Sequence, residues 1–183
     1  MNASPIRVVI ADDHVLVRQG IRAFLDTQAD LAIVAEAEDA DSAVSACAAH
    51  KPDVALIDLV MPGGGIAAIR EIRTASPATK SILLTSFDDA RDILAAVQAG
   101  ALSCLLKDID ADGLADAIRK TAQGEAVLHP RVAGYLVDAV RQGKSAPGGE
   151  AIASLSERER EVLALIAEGS SNQRIADQLG VSV

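Results

Sequence analysis

Aromatic side chains are scarce in this sequence: its 183 residues include one Tyr, two Phe and no Trp. A core without aromatic rings has to be aliphatic, built from Val, Ile, Leu and Ala. Because half of the residues are hydrophobic, the chain is not a disordered tail. Its length is enough for one well-packed domain and a smaller unit.

Basic residues are also few. The 17 Lys and Arg residues are outnumbered by 26 Asp and Glu residues, so the formal net charge is -9. This balance argues against a protein whose main surface is a groove for nucleic acid, because such a surface is normally basic. A single basic helix would still be compatible with it.

Cysteines and long apolar runs are scarce as well. Cys47 and Cys104 lie far apart without the spacing of metal ligands, which favours a reducing cytosol. No apolar run reaches about 18 residues, so no membrane span is expected. The first residues, MNASPIRVVIADD, place acidic residues directly after a short apolar run and lack the layout of a signal peptide. We therefore expect a cytoplasmic protein without contact to a membrane.

The sequence does contain short apolar runs that alternate with amphipathic stretches. The runs are typical of strands that helices cover on both faces, and they span residues 6–11, 31–37, 54–59, 81–86 and 102–107. Helical spacing is found in residues 15–28, 65–76, 88–101 and 110–124, the last closed by Gly124. This alternation predicts a doubly wound α/β domain with five parallel strands.

The pattern changes in the last third of the chain. Residues 129–142 predict one more helix, with Pro130 in its first turn, and residues 143–154 are rich in Gly, Pro and Ser, as linkers are. Ser156 and Glu159 have the spacing of a helix capping box, ahead of two short helical patterns. The predicted organisation is a first domain over residues 1–124, a linker helix and flexible linker over 125–153, and a small all-α unit over 154–183.

Polar side chains end four of the predicted strands. They are Asp12 and Asp13 after the first strand, Asp58 at the third, Thr85 at the fourth and Lys107 at the fifth. Ligands of open α/β sheets bind in the crevice outside the carboxyl ends of the strands. We therefore expect these five side chains to lie together and to form the functional site.

Three carboxylates at one edge of a sheet repel each other unless a cation holds them or their pKa values rise. A divalent cation with oxygen ligands resolves this, and Mg²⁺ suits a site with few protein ligands and several waters. With Mg²⁺, the ammonium group of Lys107 and the hydroxyl of Thr85 around it, Asp58 is predicted to be the nucleophile that accepts a phosphoryl group. His14 follows the acidic pair, but without a second His or Cys nearby we assign it no ligand role.

Four stretches, VVIADDHVLVRQGI, DVALIDLVMP, ILLTS and GALSCLLKD, resemble the receiver domain of bacterial two-component response regulators. The stretch LSEREREVLALIAEGSSNQRIADQLGVS resembles the LuxR-type helix-turn-helix of the NarL/FixJ group. Together they cover nearly the whole chain. The resemblance implies a flavodoxin-like receiver with strand order 2-1-3-4-5, followed by a linker helix and an incomplete helix-turn-helix domain.

The resemblance also implies a chemistry and partners. A sensor histidine kinase would phosphorylate Asp58, with Thr85 as the switch hydroxyl and Lys107 as the lysine that pairs with the phosphate. The protein would then form a homodimer and, when intact, regulate transcription on DNA. It would not be an enzyme beyond transferring the phosphoryl group to itself and releasing it. The implied Mg²⁺ ligands are Asp13, Asp58, the backbone carbonyl of Val60 and, largely through water, Asp12.

Three features depart from the family pattern. Cys104 stands three residues before the lysine, where the family usually has a Tyr or Phe that swings inward with the switch hydroxyl; we expect it to fill core space as a small hydrophobe. The loop MPGGGIAAIR is one residue shorter than usual, and its three glycines permit unusual backbone angles. The sequence stops after LGVSV, where the recognition helix would follow. We therefore expect this chain to bind no specific promoter.

Two other functions are compatible with the same residues. A Mg²⁺-dependent phosphohydrolase with an aspartyl intermediate would share the carboxylates, but the sequence has no DxD arrangement around Asp58 to supply a second general acid. A protein-interaction module that does not use phosphate would be compatible with Cys104 and the glycine loop.

Overall fold

The computed structural model describes residues 4–86, 90–130 and 133–134 of the chain. Strands and helices alternate along this part, and none of its helices is both long enough and apolar enough to cross a membrane. The strands are β1 Ile6–Ala11, β2 Leu31–Ala37, β3 Val54–Asp58, β4 Lys80–Thr85 and β5 Ala101–Leu106. The helices are α1 Val15–Leu25, α2 Ala40–His50, α3 Gly65–Ala75, α4 Ala90–Ala99 and α5 Ala111–Gln123.

The five strands form one parallel sheet in the order β2-β1-β3-β4-β5. This confirms the predicted doubly wound architecture and its strand order. β1 and β2 have the predicted bounds, whereas β3 ends one residue earlier, at Asp58, and β4 and β5 are each shifted by one residue. β4 begins one residue earlier than predicted because the backbone of Lys80 pairs with Val54. The polar side chain of Lys80 gave no sign of this pairing in the sequence.

Helix α2 is not predicted by the sequence pattern. Its sequence, ADSAVSACAAH, carries small apolar residues on all sides, so no apolar stripe of helical period stands out. The start of the helix is nonetheless well marked by a capping box. The backbone N–H of Ser42 donates to Asp39 Oδ1 at 2.7 Å, and the backbone N–H of Asp39 donates to the Ser42 hydroxyl at 3.3 Å.

Two apolar layers fill the space on the two faces of the sheet. One lies between the sheet and helices α2, α3 and α4, and the other between the sheet and helices α1 and α5. The largest fully buried side chains of the described residues are all aliphatic, as predicted from the lack of aromatic residues, and they include Ile10, Leu25, Leu56, Ile57, Ile69 and Leu83. The layers cover both faces of the sheet, as expected for strands that helices cover on both sides.

A charged contact ties α5 to the connection between α1 and β2. Arg119 donates through Nε to Asp30 Oδ2 at 2.7 Å and through Nη2 to Asp30 Oδ1 at 2.9 Å. Two parallel hydrogen bonds between a guanidinium and a carboxylate are among the stronger polar contacts in proteins. They fasten α5 to the connection between α1 and β2.

The chain stays with the sheet after α5. Gly124 ends the helix in a left-handed conformation, with φ of 93°, which confirms the predicted helix stop. The chain then runs along the outer edge of β5, where Leu128 forms a parallel bridge with Cys104. The sequence pattern does not predict this contact, because a single bridge needs no run of alternating residues.

The predicted helix over residues 129–142 begins where expected. The backbone is helical at Pro130, Ala133 and Gly134, and the N–H of Ala133 donates to the carbonyl of His129 at 3.0 Å. The remainder of that helix, the linker and the helix-turn-helix region predicted over 154–183 lie outside the described residues.

The loop between β3 and α3 depends on glycine. Gly63 and Gly64 adopt φ of 81° and 83°, the left-handed region that favours glycine. Gly65 approaches the end of β3 so closely that an ideal Cβ would lie 2.0 Å from the carbonyl oxygen of Asp58. The loop can return onto the strand end because Gly65 has no side chain.

Replacing Gly65 by Ala is expected to lower the free energy of unfolding by about 1–3 kcal/mol, because the loop has to move away from the backbone of Asp58. Gly20 is a matched control, since it lies on the exposed side of α1 with open space around a Cβ. There, Gly20→Ala is expected to raise the same quantity by up to about 1 kcal/mol through helix propensity. Urea unfolding of both variants measures this, and a Gly65→Ala variant as stable as wild type would contradict the close approach.

Candidate functional site

The register of the sheet brings two of the predicted site residues, Asp12 and Asp58, together. Ala11 pairs with Ile57, so the residues that follow them, Asp12 and Asp58, end neighbouring strands. Both carboxylates are almost fully buried, with Asp12 1% and Asp58 2% exposed. Buried carboxylates are rare unless they are paired, so these two require a partner.

The partner is the ammonium group of Lys107. Its Nζ lies 2.7 Å from Asp12 Oδ2 and 2.9 Å from Asp58 Oδ1. Lys107 is held in place by its backbone N–H, which donates to the carbonyl of Thr85 at 2.8 Å. Thr85 is itself buried at the end of β4, so the residues predicted from strands one, three, four and five meet at one edge.

The carboxylates of Asp12 and Asp58 together carry more formal negative charge than the one ammonium group of Lys107 can compensate. Burial raises the pKa of Asp58, and the hydrogen bond from Lys107 offsets this only in part. Burial by itself would lower the pKa of Lys107, but its hydrogen bonds to Asp12 and Asp58 outweigh burial and raise it, so the ammonium group stays protonated. Among the described residues, Asp58 Oδ2 is buried without a hydrogen-bond partner. The site therefore leaves a buried oxygen ready for a cation or a phosphoryl group.

Four side chains offer ligands for a metal ion here. One atom each of Asp12, Asp13, His14 and Asp58 can be chosen so that all lie within 4.8 Å of one another. Three of them are carboxylates, which are the ligands that Mg²⁺ prefers. The donor chemistry and the orphan oxygen of Asp58 thus fit the predicted cation.

His14 lies closer to the carboxylates than the sequence indicates. Its Nδ1 is 2.8 Å from Asp13 Oδ1 and 3.2 Å from Asp12 Oδ1, and its backbone N–H donates to Asp12 Oδ1 at 2.8 Å. The imidazole is 64% exposed. It closes the turn after β1 against both acidic side chains.

Arg18 is a second residue that the sequence analysis did not single out. Its guanidinium donates to the backbone carbonyl of Asp12, and its Nε lies 3.5 Å from Glu36 Oε2 at the end of β2. The side chain is 13% exposed. Arg18 holds the turn that carries Asp12 and Asp13. The sequence offered one signal for this role, which is a basic residue one turn into the helix that follows an acidic strand end.

Two more residues were predicted for the site, Val60 and Cys104. Val60 is in the loop after β3 with its side chain 69% exposed, and the ligand role of its carbonyl stays a prediction. Cys104 lies within the core on β5, fully buried, as expected for a small hydrophobe. Burial raises the pKa of its thiol to about 12, so the group is neutral at physiological pH.

The fold and the site together define a receiver-type domain, and comparison with known families agrees. The model of the response regulator receiver domain matches residues 8–119, and the model of bacterial regulatory proteins of the luxR family matches residues 153–183. The chain belongs to the response regulators of two-component systems, with a receiver domain and a LuxR-type DNA-binding domain.

Curated relatives are transcriptional regulators. The chain is 42% identical over 180 residues to the transcriptional regulatory protein LiaR of Bacillus subtilis, which covers 97% of this chain and 84% of that protein. It is 37% identical over 179 residues to the response regulator protein VraR of Staphylococcus aureus, covering 97% and 83%. These relatives confirm the family and the role in transcription regulation predicted from the motifs.

Solved structures of similar fold are response regulators too. The response regulator ChrA of a heme-sensing two-component system is 38% identical with a TM-score of 0.63, over 98% of this chain and 84% of that one. The response regulator RcsB of Salmonella typhimurium, whose structure concerns conformational dynamism for DNA interaction, is 29% identical with a TM-score of 0.68. The match covers 98% of this chain and 86% of that one. They confirm the flavodoxin-like receiver fold.

Replacing Asp58 by Asn is expected to stabilise the protein when no divalent cation is bound. A raised pKa in the folded state means that the stabilising contribution of this carboxyl is present at low pH and is lost as the pH rises through the titration range. At pH 7 the ionised group therefore costs stability, and Asp58→Asn should raise the free energy of unfolding by about 0.5–2 kcal/mol.

Urea unfolding at pH 7 and pH 3.5 measures this, with the gain expected to shrink at the lower pH. Asp112→Asn is the matched control, because it removes the same charge from an exposed position on α5. A loss of stability in Asp58→Asn at pH 7 would show that pairing with Lys107 outweighs burial.

Proposed function

We propose that Asp58 is the phosphoacceptor of this response regulator and that a sensor histidine kinase supplies the phosphoryl group. The observation that carries the proposal is a buried carboxylate with one oxygen held by Lys107 and the other without a partner among the described residues. In the transfer, the Asp58 oxygen attacks the phosphorus of a phosphohistidine. The new O–P bond forms as the N–P bond breaks, and its electron pair returns to the imidazole nitrogen.

The neighbouring residues have separate roles in this proposal. Asp12, Asp13, Asp58 and the carbonyl of Val60 would hold Mg²⁺, which when bound supplies positive charge for the oxygens of the phosphoryl group. Lys107 already contacts Asp58 and can follow the phosphoryl group as a paired cation. The backbone carbonyl of Thr85 accepts a hydrogen bond from the backbone N–H of Lys107. The Thr85 hydroxyl would donate to an oxygen of the phosphoryl group.

Exposed apolar side chains follow the acidic residues of the site in the sequence. Of the described residues, the large hydrophobic ones that are exposed are Val15, Leu16 and Val60, at 51%, 83% and 69%. Val15 and Leu16 directly follow the acidic turn, and Val60 follows Asp58 by two residues. Exposed apolar side chains can take part in protein contacts, and their position next to the acidic residues is compatible with a protein as the phosphoryl donor.

Phosphorylation would act on an output outside the described residues. We propose that the added charge at Asp58 favours a homodimer through the receiver and that the LuxR-type region acts on DNA in the intact protein. Support comes from the luxR-family match and from the structure that shows two RcsB dimers bound to two parallel DNAs. The boundaries at residues 124 and 153 and the cytoplasmic location remain predictions.

The two alternative functions make different demands on the site. A phosphohydrolase needs turnover of a foreign phosphoester, whereas the relatives are transcriptional regulators. We propose that the chemistry of this chain is limited to gaining and losing a phosphoryl group on its own Asp58. A module that does not use phosphate gives no role to Asp58 Oδ2, which is buried without a hydrogen-bond partner among the described residues.

Incubation with acetyl phosphate and Mg²⁺ tests the phosphoacceptor. Wild type is expected to gain the mass of one phosphoryl group, and Asp58→Ala is expected to gain none, because the nucleophile is lost. Asp108→Ala is the matched control, since it removes an exposed carboxylate next to Lys107 and should still react. Modification that persists in Asp58→Ala, or steady release of nitrophenol from nitrophenyl phosphate, would refute the proposal.

A further inference from the structure

His14 is held in place by backbone contacts on both sides. Its backbone N–H donates to Asp12 Oδ1 at 2.8 Å. Its carbonyl accepts from the backbone N–H groups of Val17 and Arg18, at 3.0 and 3.1 Å, in the first turn of α1. The residue is thus tied to the acidic turn after β1 and to the helix that follows it, so its side chain starts from a fixed point beside the site.

The imidazole of His14 directs one nitrogen toward the acidic residues. Nδ1 lies 2.8 Å from Asp13 Oδ1 and 3.2 Å from Asp12 Oδ1, while 64% of the side chain is exposed. His14 precedes α1 as its N-cap residue, but its side chain makes no capping hydrogen bond. The ring is therefore not used to cap the helix, and its Nδ1 faces the carboxylates.

The carboxylates of Asp12 and Asp58 divide their oxygens between two sets of neighbours. Lys107 Nζ contacts Asp12 Oδ2 and Asp58 Oδ1. The other oxygen of Asp12, Oδ1, faces His14. The other oxygen of Asp58, Oδ2, is buried without a hydrogen-bond partner among the described residues. Because such a buried oxygen costs free energy, it indicates a ligand that these residues do not themselves supply.

Ligand atoms from four side chains lie close enough to share one metal ion. One atom each of Asp12, Asp13, His14 and Asp58 can be chosen so that all four lie within 4.8 Å of one another. Ligands on opposite sides of an ion with bonds of about 2.1 Å are about 4.2 Å apart, so small side-chain movements complete such a shell. The imidazole nitrogen distinguishes this group from a site that offers oxygen alone.

The type of ligand decides which metal ion a site prefers. Mg²⁺ is bound by carboxylates, carbonyls and water. Imidazole nitrogen suits zinc and the divalent transition metals, which bind nitrogen ligands more strongly than Mg²⁺ does. Three carboxylates together with one imidazole therefore favour an ion such as Zn²⁺. No ligand role was expected for His14 from the sequence, because no second His or Cys lies near it, but its contacts place it with three carboxylates instead.

We propose that His14 binds a zinc-like divalent metal ion together with Asp12, Asp13 and Asp58, and that this ion competes with Mg²⁺ for the site. The inference rests on the proposed function, because it uses the same carboxylates. His14 Nδ1 binds the ion as a neutral imidazole with the ring proton on Nε2, and it gives up its contact with Asp13. Binding of Mg²⁺ needs oxygen ligands alone and leaves His14 in its present contacts.

Isothermal titration calorimetry of the full chain, prepared without a histidine tag, measures the affinity for both ions. Wild type is expected to bind Zn²⁺ at least about tenfold more tightly than Mg²⁺. In His14→Gln the affinity for Zn²⁺ should fall about tenfold or more, and the affinity for Mg²⁺ should change less than about threefold. His50→Gln is the matched control, because it removes an exposed histidine from the last turn of α2 and should leave both affinities unchanged. Asp58→Asn should weaken the binding of Zn²⁺, since it alters a carboxylate of the same site.

Nitrogen NMR of the imidazole groups tests the contact itself. The chain has three histidines, so the variants assign their signals. The Nδ1 signal of His14 is expected to shift when Zn²⁺ is added and to stay near its starting position when Mg²⁺ is added. The signals of His50 should respond to neither ion.

Two kinds of result would overturn the inference. One is a His14→Gln variant that keeps its affinity for Zn²⁺ or loses affinity for both ions equally, since His14 would then at most shape the acidic turn. The other is binding of Zn²⁺ that leaves the His14 Nδ1 signal in place or is unaffected by Asp58→Asn, since the ion would then lie elsewhere. Phosphorylation of wild type by acetyl phosphate and Mg²⁺ is judged separately. Its absence would refute the phosphoacceptor and leave the result with Zn²⁺ standing.

Discussion

The structure of the site depends on one ammonium group placed between two buried carboxylates. Lys107 reaches Asp12 and Asp58 from the end of β5, although the acids end β1 and β3. A single positive charge satisfies two oxygens and leaves a third unpaired among the described residues. The remaining negative charge favours the binding of a cation at this edge of the sheet.

The order of the strands makes that arrangement possible. β1 and β3 are neighbours at the centre of the sheet, and β4 and β5 follow on one side, so polar residues at four strand ends converge without any long loop. The helices contribute by fixing the turns, as Arg18 does for the backbone of Asp12 and as the bare backbone of Gly65 does for Asp58. Backbone contacts therefore hold the turns that carry Asp12 and Asp58.

Most of the fold and site could be predicted because they are periodic or lie at strand ends. Continuous apolar runs predict buried parallel strands, and the polar residue after each run predicts the site. Helix α2 could not be predicted, because its alanines form no stripe. The contacts of His14 and Arg18 and the bridge of Leu128 depend on turn geometry and on single backbone hydrogen bonds, which leave no period in a sequence.

The segment of residues 127–129, which lies along β5, also has a consequence for solubility. The outer strands of a sheet present unpaired backbone groups that can add a strand from another molecule. Residues 127–129 cover the middle of β5, which leaves β2, with Glu36 near its end, as the open edge of the described sheet. A fragment ended at Gly124 would keep every residue of the acidic site and still uncover an apolar strand. A receiver trimmed to its apparent boundary would therefore be prone to pair with its own copies through β5.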